Sequence, residues 1–324
     1  MKIVFLSRYQ NKLQRGAENF VREISKRLSK NHTIDVFSGT DADSVSKVMA
    51  GKYDIVIPIN GRLQSLKISL SRFFGRYKLF IIGHSGIGRD DIWNLLVKPD
   101  VFVALTEYQK NWAKKWAWGS KVVKIPNGID LEKFNPNGTK IKIDLPRPII
   151  LSVGALVWYK HHDKVIRAIS KLDKGSLLIV GEGGGKSDLN QIGQKLLGSR
   201  FKIASFRYED MPKVYRSADL FTLPSWSREA FGIVYLEAMA SGLGVVAPDD
   251  PMRQEIIGDA GIFVDVDDID KYAEAIDKAL KIDWSKKARA QAEKFSWNKI
   301  EKEYEEVLES ISKLSSPRRR GSNK

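Results

Sequence analysis

Short apolar runs alternate with amphipathic stretches along this chain, and the alternation starts twice. "KIVFLS" precedes "AENFVREISKRLSK"; then come "TIDVFSG", "YDIVIPI", "KLFIIGH", "VFVALT" with "EYQKNWAKKW", and "KVVKIP". Uninterrupted apolar runs separated by segments of helical length read as strands buried on both faces of a parallel sheet, whose crossovers have to be helices. After the Pro-, Gly- and Asn-rich interval "IPNGIDLEKFNPNGTKIKIDLPRP" (125–148) the pattern restarts with "IILSVG", "DKVIRAISKL", "SLLIVG", "DLFTLPS", "FGIVYLEAMASG", "GVVAP" and "AGIFVD". An interval of that composition is a linker, and 324 residues exceed what one core usually spans. The expectation is an α/β protein with two Rossmann-like, doubly wound domains facing a cleft, at 1–145 and 146–296. The amphipathic run at 297–314 is expected to form a C-terminal helix returning to the first domain, and 315–324 a disordered basic tail.

Charge and residue types narrow the function. The chain has no cysteine, which excludes disulfides, thiolate metal sites and thiol catalysis. Its four histidines, two of them adjacent at 161 and 162, lack the spacing of a metal site, so no metal is expected. The start, "MKIVFLSRYQ", has too short an apolar run for a signal peptide and reads as a first strand. No stretch approaches the roughly 20 apolar residues of a membrane-spanning helix. A cytoplasmic protein, peripheral at the inner membrane face at most, is expected.

Of the net charge of +15, residues 1–144 carry most, with 25 Lys/Arg against 13 Asp/Glu, whereas 145–324 hold 29 against 26. A one-sided basic surface suits nucleic acid, anionic lipid or a phosphorylated substrate. No nucleic-acid reader motif accompanies it, so nucleic acid is not an expected partner. The stretch 62–80, "RLQSLKISLSRFFGRYKLF", mixes Lys67, Arg72, Arg76 and Lys78 with Leu66, Leu70, Phe73 and Phe74. Such a basic amphipathic stretch can lie on an anionic membrane surface or pack as an ordinary helix with a solvated basic face.

The densest chemistry lies in "SREAFGIVYLEAMASG" (227–242). Preceded by the strand-like "DLFTLP", the run from Phe231 to Ala240 has the composition of a buried helix after a parallel strand, with its start in the crevice where such sheets bind ligands. The amides of Phe231, Gly232 and Ile233 would there form an anion site, and Gly232 admits a close approach to the backbone. Glu229 just before the helix and Glu237 within it are good acceptors for vicinal hydroxyls. On the residues alone, the pair reads equally as a helix-dipole carboxylate and a paired structural charge.

These residues carry a family resemblance. "SREAFGIVYLEAMASGLGVVAPDDPMRQEIIGDAGIFV" resembles the two-glutamate signature of the retaining nucleotide-sugar glycosyltransferases of family four, which have the two-lobed GT-B fold. "RGAENFVREISKRL", "GHSG", "IPNGIDLEKFNP", "VGALVWYKHHDKVIRAI" and "VGEGGGKSDL" extend the likeness, in order, over nearly the whole chain. The resemblance implies transfer of a hexose from a UDP-, GDP- or ADP-sugar, bound by the second domain (146–296), to a glycan or lipid-linked acceptor, bound by the first (1–145), in cell-surface polysaccharide or glycolipid synthesis, with no cofactor beyond the nucleotide sugar.

Residue by residue, it implies that Glu229 contacts the donor hexose, that amides at Phe231, Gly232 and Ile233 hold sugar and diphosphate, and that Glu237 binds the ribose. It implies that Lys160 neutralises the leaving diphosphate, that His84 faces the donor sugar, and that Gly16 and Gly154 line the donor site. Gly183 and, near the base, Phe206 and Arg207 are expected there too. "VGEGGGKSDL" itself fits neither a P-loop, because Val180 stands where glycine is needed, nor a dinucleotide fingerprint, which Lys186 breaks.

Two positions depart from the family. Ala155 follows Gly154 where many relatives have arginine, which leaves Lys160 to act alone or with Arg228 or Arg253. Arg15 replaces the first glycine of the N-terminal loop and adds a charge on the acceptor side. These departures motivate the alternative of a nucleotide-sugar-binding protein that has lost catalysis.

Overall fold

The computed structural model describes residues 1–10, 16–59 and 61–315; the tail from 316 onward lies outside them. In the first domain the strands are β1 (Lys2–Leu6), β2 (Thr33–Phe37), β3 (Ile55–Pro58), β4 (Lys78–Ile82), β5 (Val101–Ala104) and β6 (Lys121–Lys124). The helices between them are α1 (Gly16–Leu28), α2 (Val45–Gly51), α3 (Arg62–Gly75), α4 (Arg89–Leu96) and α5 (Glu107–Lys114). The second domain carries β7 (Ile149–Val153), α6 (His162–Ser170), β8 (Ser176–Val180), α7 (Lys186–Leu197), β9 (Phe201–Ala204), α8 (Met211–Ser217) and β10 (Leu220–Thr222). It continues with α9 (Ile233–Ala240), β11 (Val245–Pro248), α10 (Pro251–Ile257), β12 (Gly261–Val264), α11 (Ile269–Leu280), α12 (Ser285–Glu293) and α13 (Trp297–Ser315).

The strands form two parallel six-stranded sheets, ordered β2-β1-β3-β4-β5-β6 and β12-β11-β10-β7-β8-β9. Each order reverses direction once, between β1 and β3 and between β7 and β10, as doubly wound sheets do. The central strands are buried on both faces, Ile3 to Leu6 and Ile149 to Leu151 among them, which is why they read as unbroken apolar runs. The helices are one-sided instead. Phe20, Val21, Ile24 and Leu28 form the inner stripe of α1, while Glu18 in its first turn and Lys26 and Arg27 in its last suit the helix dipole. Helix α9 is the exception, buried from Tyr235 through Ala240.

The chain crosses between the domains twice, side by side. Ile129 in the junction donates its amide to the Phe295 carbonyl at 2.9 Å, and the Trp297 amide donates back to the Ile129 carbonyl at 3.3 Å. Helix α13 then lies on the first domain: Phe20 of α1 sits 5.9 Å, centroid to centroid, from both Trp297 and Tyr304. His32 meets Glu305 at 2.7 Å and Lys30 meets Glu301 at 3.0 Å along the same contact.

Trp297 is buried where the second crossing begins, its ring filling the space a side chain at Gly128 would need. Trp297→Ala is expected to cost about 3–5 kcal/mol, the usual loss on emptying a large aromatic site. Urea melts check this, and a loss under about 1 kcal/mol would contradict the anchoring role.

Candidate functional site

A cleft of about 730 Å³ opens where the carboxyl ends of the two sheets face each other, within the size range of small-molecule sites. The first domain contributes Gly16, Ala17, Asn19 and His84, and the junction contributes Asn127. The second domain supplies residues 153–155, Lys160, Gly181, Glu182, Ser205, Phe206, Tyr208, the run 229–234 and Glu237.

The reversal of strand order between β7 and β10 makes the loops leaving those strands diverge, which opens a crevice. Lys160 closes the first loop and Glu229 lies on the second. There the Lys160 ammonium pairs directly with Glu229 Oε2. Ser225 Oγ donates to the same oxygen at 2.6 Å. Burial alone would raise the Glu229 carboxyl, but Lys160, Ser225 and the Arg253 guanidinium together hold it below the usual carboxylate range. The pair is therefore ionised, mostly buried, and at the cleft wall.

Immediately after Glu229 the backbone turns into α9 through Gly232, at φ 78°. An L side chain there would be strained, and its Cβ would stand 2.6 Å from the Tyr235 ring. Among the described residues no side chain caps this helix start, and Phe231, Gly232, Ile233 and Val234 line the cleft there. Gly16, at the start of α1, lies opposite, 3.9 Å from Ile233 on the same Cβ measure.

Glu237 sits deeper. Tyr215 Oη donates to its Oε2 at 2.7 Å, and burial pushes the carboxyl up to about 7 despite that bond and the Lys133 charge. Above it, Tyr208 is held between two cations: Lys133 Nζ lies 3.8 Å from the ring centroid, and Arg22 of α1 is 5.3 Å away. This side of the cleft thus has positive groups from the first domain and from the junction.

His84, at the end of β4, is buried, and desolvation lowers it to about 4, so its ring is neutral. It meets Phe20 edge-on at 4.8 Å, and its buried Nε2 has no hydrogen-bond partner among the described residues. The loop carrying it is fixed from behind, where Gln109 Nε2 donates to the Gly83 carbonyl at 2.8 Å and to Asp91 at 3.1 Å.

The structure gathers Glu229, Lys160, His84, Gly16, Gly154, Phe231, Gly232, Ile233 and Glu237 around one cleft. It does not bring Gly183 or Arg207 to the wall. Gly183, at φ 153°, is packed against the Leu156 backbone, where a Cβ would come within 2.5 Å of the Leu156 oxygen, and Gly181 and Glu182 occupy the wall instead. The Arg207 side chain points outward and bonds Asp210 at 3.2 Å, while its neighbours Phe206 and Tyr208 face in.

Neither arginine considered as a substitute at Ala155 reaches the wall. Arg253 is 0% exposed and bound to Asp250, the Tyr235 hydroxyl and the Ser225 and Trp226 carbonyls. Arg228 lies over Trp226, 5.5 Å from the ring. Arg15 lies outside the described residues. Asn19, Asn127, Lys133, Tyr208 and Tyr215 were not singled out in the sequence, since they converge only in three dimensions.

Two parallel doubly wound sheets facing such a cleft define the GT-B class. Solved structures share this fold: sucrose-phosphate synthase from Thermosynechococcus elongatus superposes with a TM-score of 0.81 at 19% identity, covering 97% of this chain and 100% of that one. Anabaena HepE in complex with UDP-glucose superposes at 0.77, with 18% identity over 96% and 100%.

A family model described as Glycosyl transferases group 1 matches residues 135–296, and the chain belongs to that family. Among curated relatives, a phosphatidyl-myo-inositol mannosyltransferase of Mycolicibacterium smegmatis is 29% identical over 65% of this chain and 57% of its own length. A GDP-mannose-dependent monoacylated alpha-(1-6)-phosphatidylinositol monomannoside mannosyltransferase of Corynebacterium glutamicum is 28% identical over 59% and 56%. The chain spans about half the length of the curated relatives it matches.

The raised Glu237 carboxyl makes stability depend on pH. Folding keeps a proton on Glu237 that the unfolded chain, at an ordinary 4.5, gives up. The stability so contributed is full below that ordinary value and is lost as pH rises through about 7. Glu237→Gln cannot ionise, so its melting temperature should gain on the wild type between pH 5 and pH 8. A gap that stays constant over that window would contradict the raised value.

Proposed function

We propose that this chain is a retaining, metal-independent hexosyltransferase that moves a sugar from a nucleotide diphosphate to a glycan or lipid-linked acceptor. The observation that carries the reading is the Lys160–Glu229 pair, set between the open start of α9 and the His84 ring. The ribose hydroxyls are placed at Glu237, the base along Ser205 to Tyr208, the diphosphate at the α9 amides, and the hexose hydroxyls at Glu229 and His84. When the bond from the anomeric carbon to the β-phosphate oxygen breaks, negative charge builds on the diphosphate and Lys160 stabilises it. The acceptor oxygen bonds the same face of that carbon and its proton passes to a leaving-phosphate oxygen. That route needs no protein base.

Because both mannosyltransferase relatives bear on sugar choice, GDP-mannose is the first donor to test. A thermal shift with GDP, UDP or ADP, weakened in Glu237→Ala, would establish the donor site. Lys160→Ala and Glu229→Ala are each expected to lower kcat about 10²- to 10³-fold with the fold intact, and transfer should persist in EDTA with the anomeric configuration retained by NMR. Nucleotide-sugar binding with neither transfer nor hydrolysis would instead favour the degenerate reading that Ala155 raised.

The reading includes a cytoplasmic protein working against an anionic membrane. Leu63, Leu66, Leu70, Phe73 and Phe74 form one outward stripe on α3, with the two phenylalanines 81% and 83% exposed, and Trp93 and Leu96 of the adjacent α4 extend it. Exposed Arg62, Lys67 and Arg76 border the stripe. No helix of the described residues is long and apolar enough to cross a membrane, so contact would be made by lying on the surface. Wild-type protein is expected to sediment with phosphatidylglycerol vesicles, less so in high salt, and the double variant Phe73→Glu/Phe74→Glu to stay in solution. Equal sedimentation of both would remove the membrane from the reading.

A further inference from the structure

The loop that carries His84 is held between two surfaces, and the reaction described above accounts for neither. Behind it stands Asp91 of α4, a carboxylate with 0% exposure that takes no part in the chemistry. Its Oδ1 accepts from Asn94 Nδ2 at 3.1 Å, and its Oδ2 accepts from Gln109 Nε2 at 3.1 Å. The Gln109 carboxamide, in the first turn of α5, also donates to the Gly83 carbonyl at 2.8 Å and accepts from the Leu105 amide at 2.7 Å. A buried side chain bonded on three sides is locked in place. Strand β4 meets it through a sharp turn, in which the His84 amide donates to the Ile82 carbonyl at 2.8 Å and the Gly83 carbonyl is left for Gln109. The approach requires glycine, since a Cβ on Gly83 would stand 2.4 Å from Gln109 Nε2.

In front of the loop lies the second domain. Gly86, at φ 76°, sits so close to the Glu229 loop that a Cβ there would stand 2.4 Å from the Arg228 carbonyl oxygen and 3.3 Å from the Ala230 Cα. Backbone therefore meets backbone on both sides of Glu229, only two residues after His84. Beside this contact a cavity of about 60 Å³ separates Ile87, Thr106 and Gln109 from Glu229, Ala230 and Met252. It has room for a few waters and not for a sugar ring. The loop is stopped by the second domain on one side and by Gln109 on the other. His84 and Glu229 come from different domains, and these two contacts set one against the other.

We propose that Gln109, braced by Asp91, and Gly86 are positioning residues that register His84 of the first domain against Glu229 of the second, so that both reach the same donor hexose. The proposal rests on the hexose placement given above, in which His84 and Glu229 share that sugar. A loop set back by about 1 Å leaves His84 short of its hydroxyl, a misplacement of the size that can cost about 10²-fold in rate. The groups assigned to the nucleotide, Glu237 and Ser205 to Tyr208, stand on other elements and are not moved with it.

The test uses the full chain with ¹³C-labelled histidine, the His84 ring signal being assigned from His84→Ala. Gln109→Met keeps the length of the side chain and removes its donor, and Gly86→Ala pushes on the loop from the opposite side. Each is expected to move the His84 signal in the ligand-free protein, because the ring leaves its place beside Phe20; Gly86→Ala carries the test should Gln109→Met fail to fold. With GDP-mannose or UDP-glucose as donor, both variants should lower kcat/KM for transfer or donor hydrolysis about 10²-fold and keep the thermal shift given by the free nucleotide. Adding His84→Ala to Gln109→Met should cost little more, since both changes remove one interaction, whereas a Gln109 that served only the fold would give additive losses. An unmoved His84 signal in the variants, or full turnover despite a displaced ring, would overturn the proposal and leave the enzyme reading standing. No nucleotide-sugar binding by the wild type would sink the enzyme reading and with it the hexose role of the loop, while a displaced ring would still show that Gln109 and Gly86 set the place of His84.

Discussion

The site depends on one buried cation. Arg253 has no solvent contact, and a charge in that position is tolerated only when its surroundings supply compensating groups. They come from Asp250, the Tyr235 hydroxyl and the carbonyls of Ser225 and Trp226, so the loop between β10 and α9 has to adopt a shape that points two carbonyls inward. Tyr235 in turn donates to the Leu223 carbonyl at 2.6 Å, which ties the start of that loop to α9. With both ends fixed, Glu229 has little freedom, and the Trp226–Tyr159 backbone bond brings the Lys160 loop to it. A buried charge away from the cleft wall therefore helps to hold the Lys160 and Glu229 loops together.

The relation between the domains follows a different economy. The two crossings at Ile129 and Trp297 are hydrogen-bonded to each other and seated on buried aromatic rings, so that edge of the molecule is firm. Across the cleft the contacts are polar and partly exposed: Glu255 of α10 accepts from the Glu107 amide at 2.7 Å and pairs with Lys124 at 3.2 Å. Pairs of that kind contribute at most about 1 kcal/mol each.

Much of this was legible in the sequence, for definite reasons. Strands buried on both faces, such as "IILSVG" and "SLLIVG", carry no alternation to confuse them with surface strands. The run around Glu229 and Glu237 was legible because a carboxylate inside an apolar helix needs a reason. Direction was not legible. The periodicity of α3 gives an apolar stripe, yet only the tertiary structure shows that Gln64, Ser65 and Ile68 face inward and the phenylalanines outward. For the same reason Phe206 and Tyr208 turn to the cleft while Arg207, between them, turns away. Lys133 and Tyr215 carry no local signature, since their meaning lies in meeting Tyr208 and Glu237 from distant segments.

The cleft pairs its charges in a way that bears on Ala155, where the family resemblance implies an arginine. Lys160 is engaged by Glu229, and the Tyr208 ring lies between Lys133 and Arg22, while Ala155 adds no cation of its own. On the proposed reading, hydroxyls of the hexose take over Glu229 as acceptor partners, which frees the Lys160 ammonium to turn to the diphosphate. A diphosphate without its sugar offers Glu229 no such partner and competes for Lys160 against a buried carboxylate. In a relative with arginine at that position, a second cation would grip the diphosphate whatever the sugar did. On that reading Ala155 leaves charge neutralisation to Lys160 alone, so leaving-group stabilisation is coupled to occupancy of the hexose position.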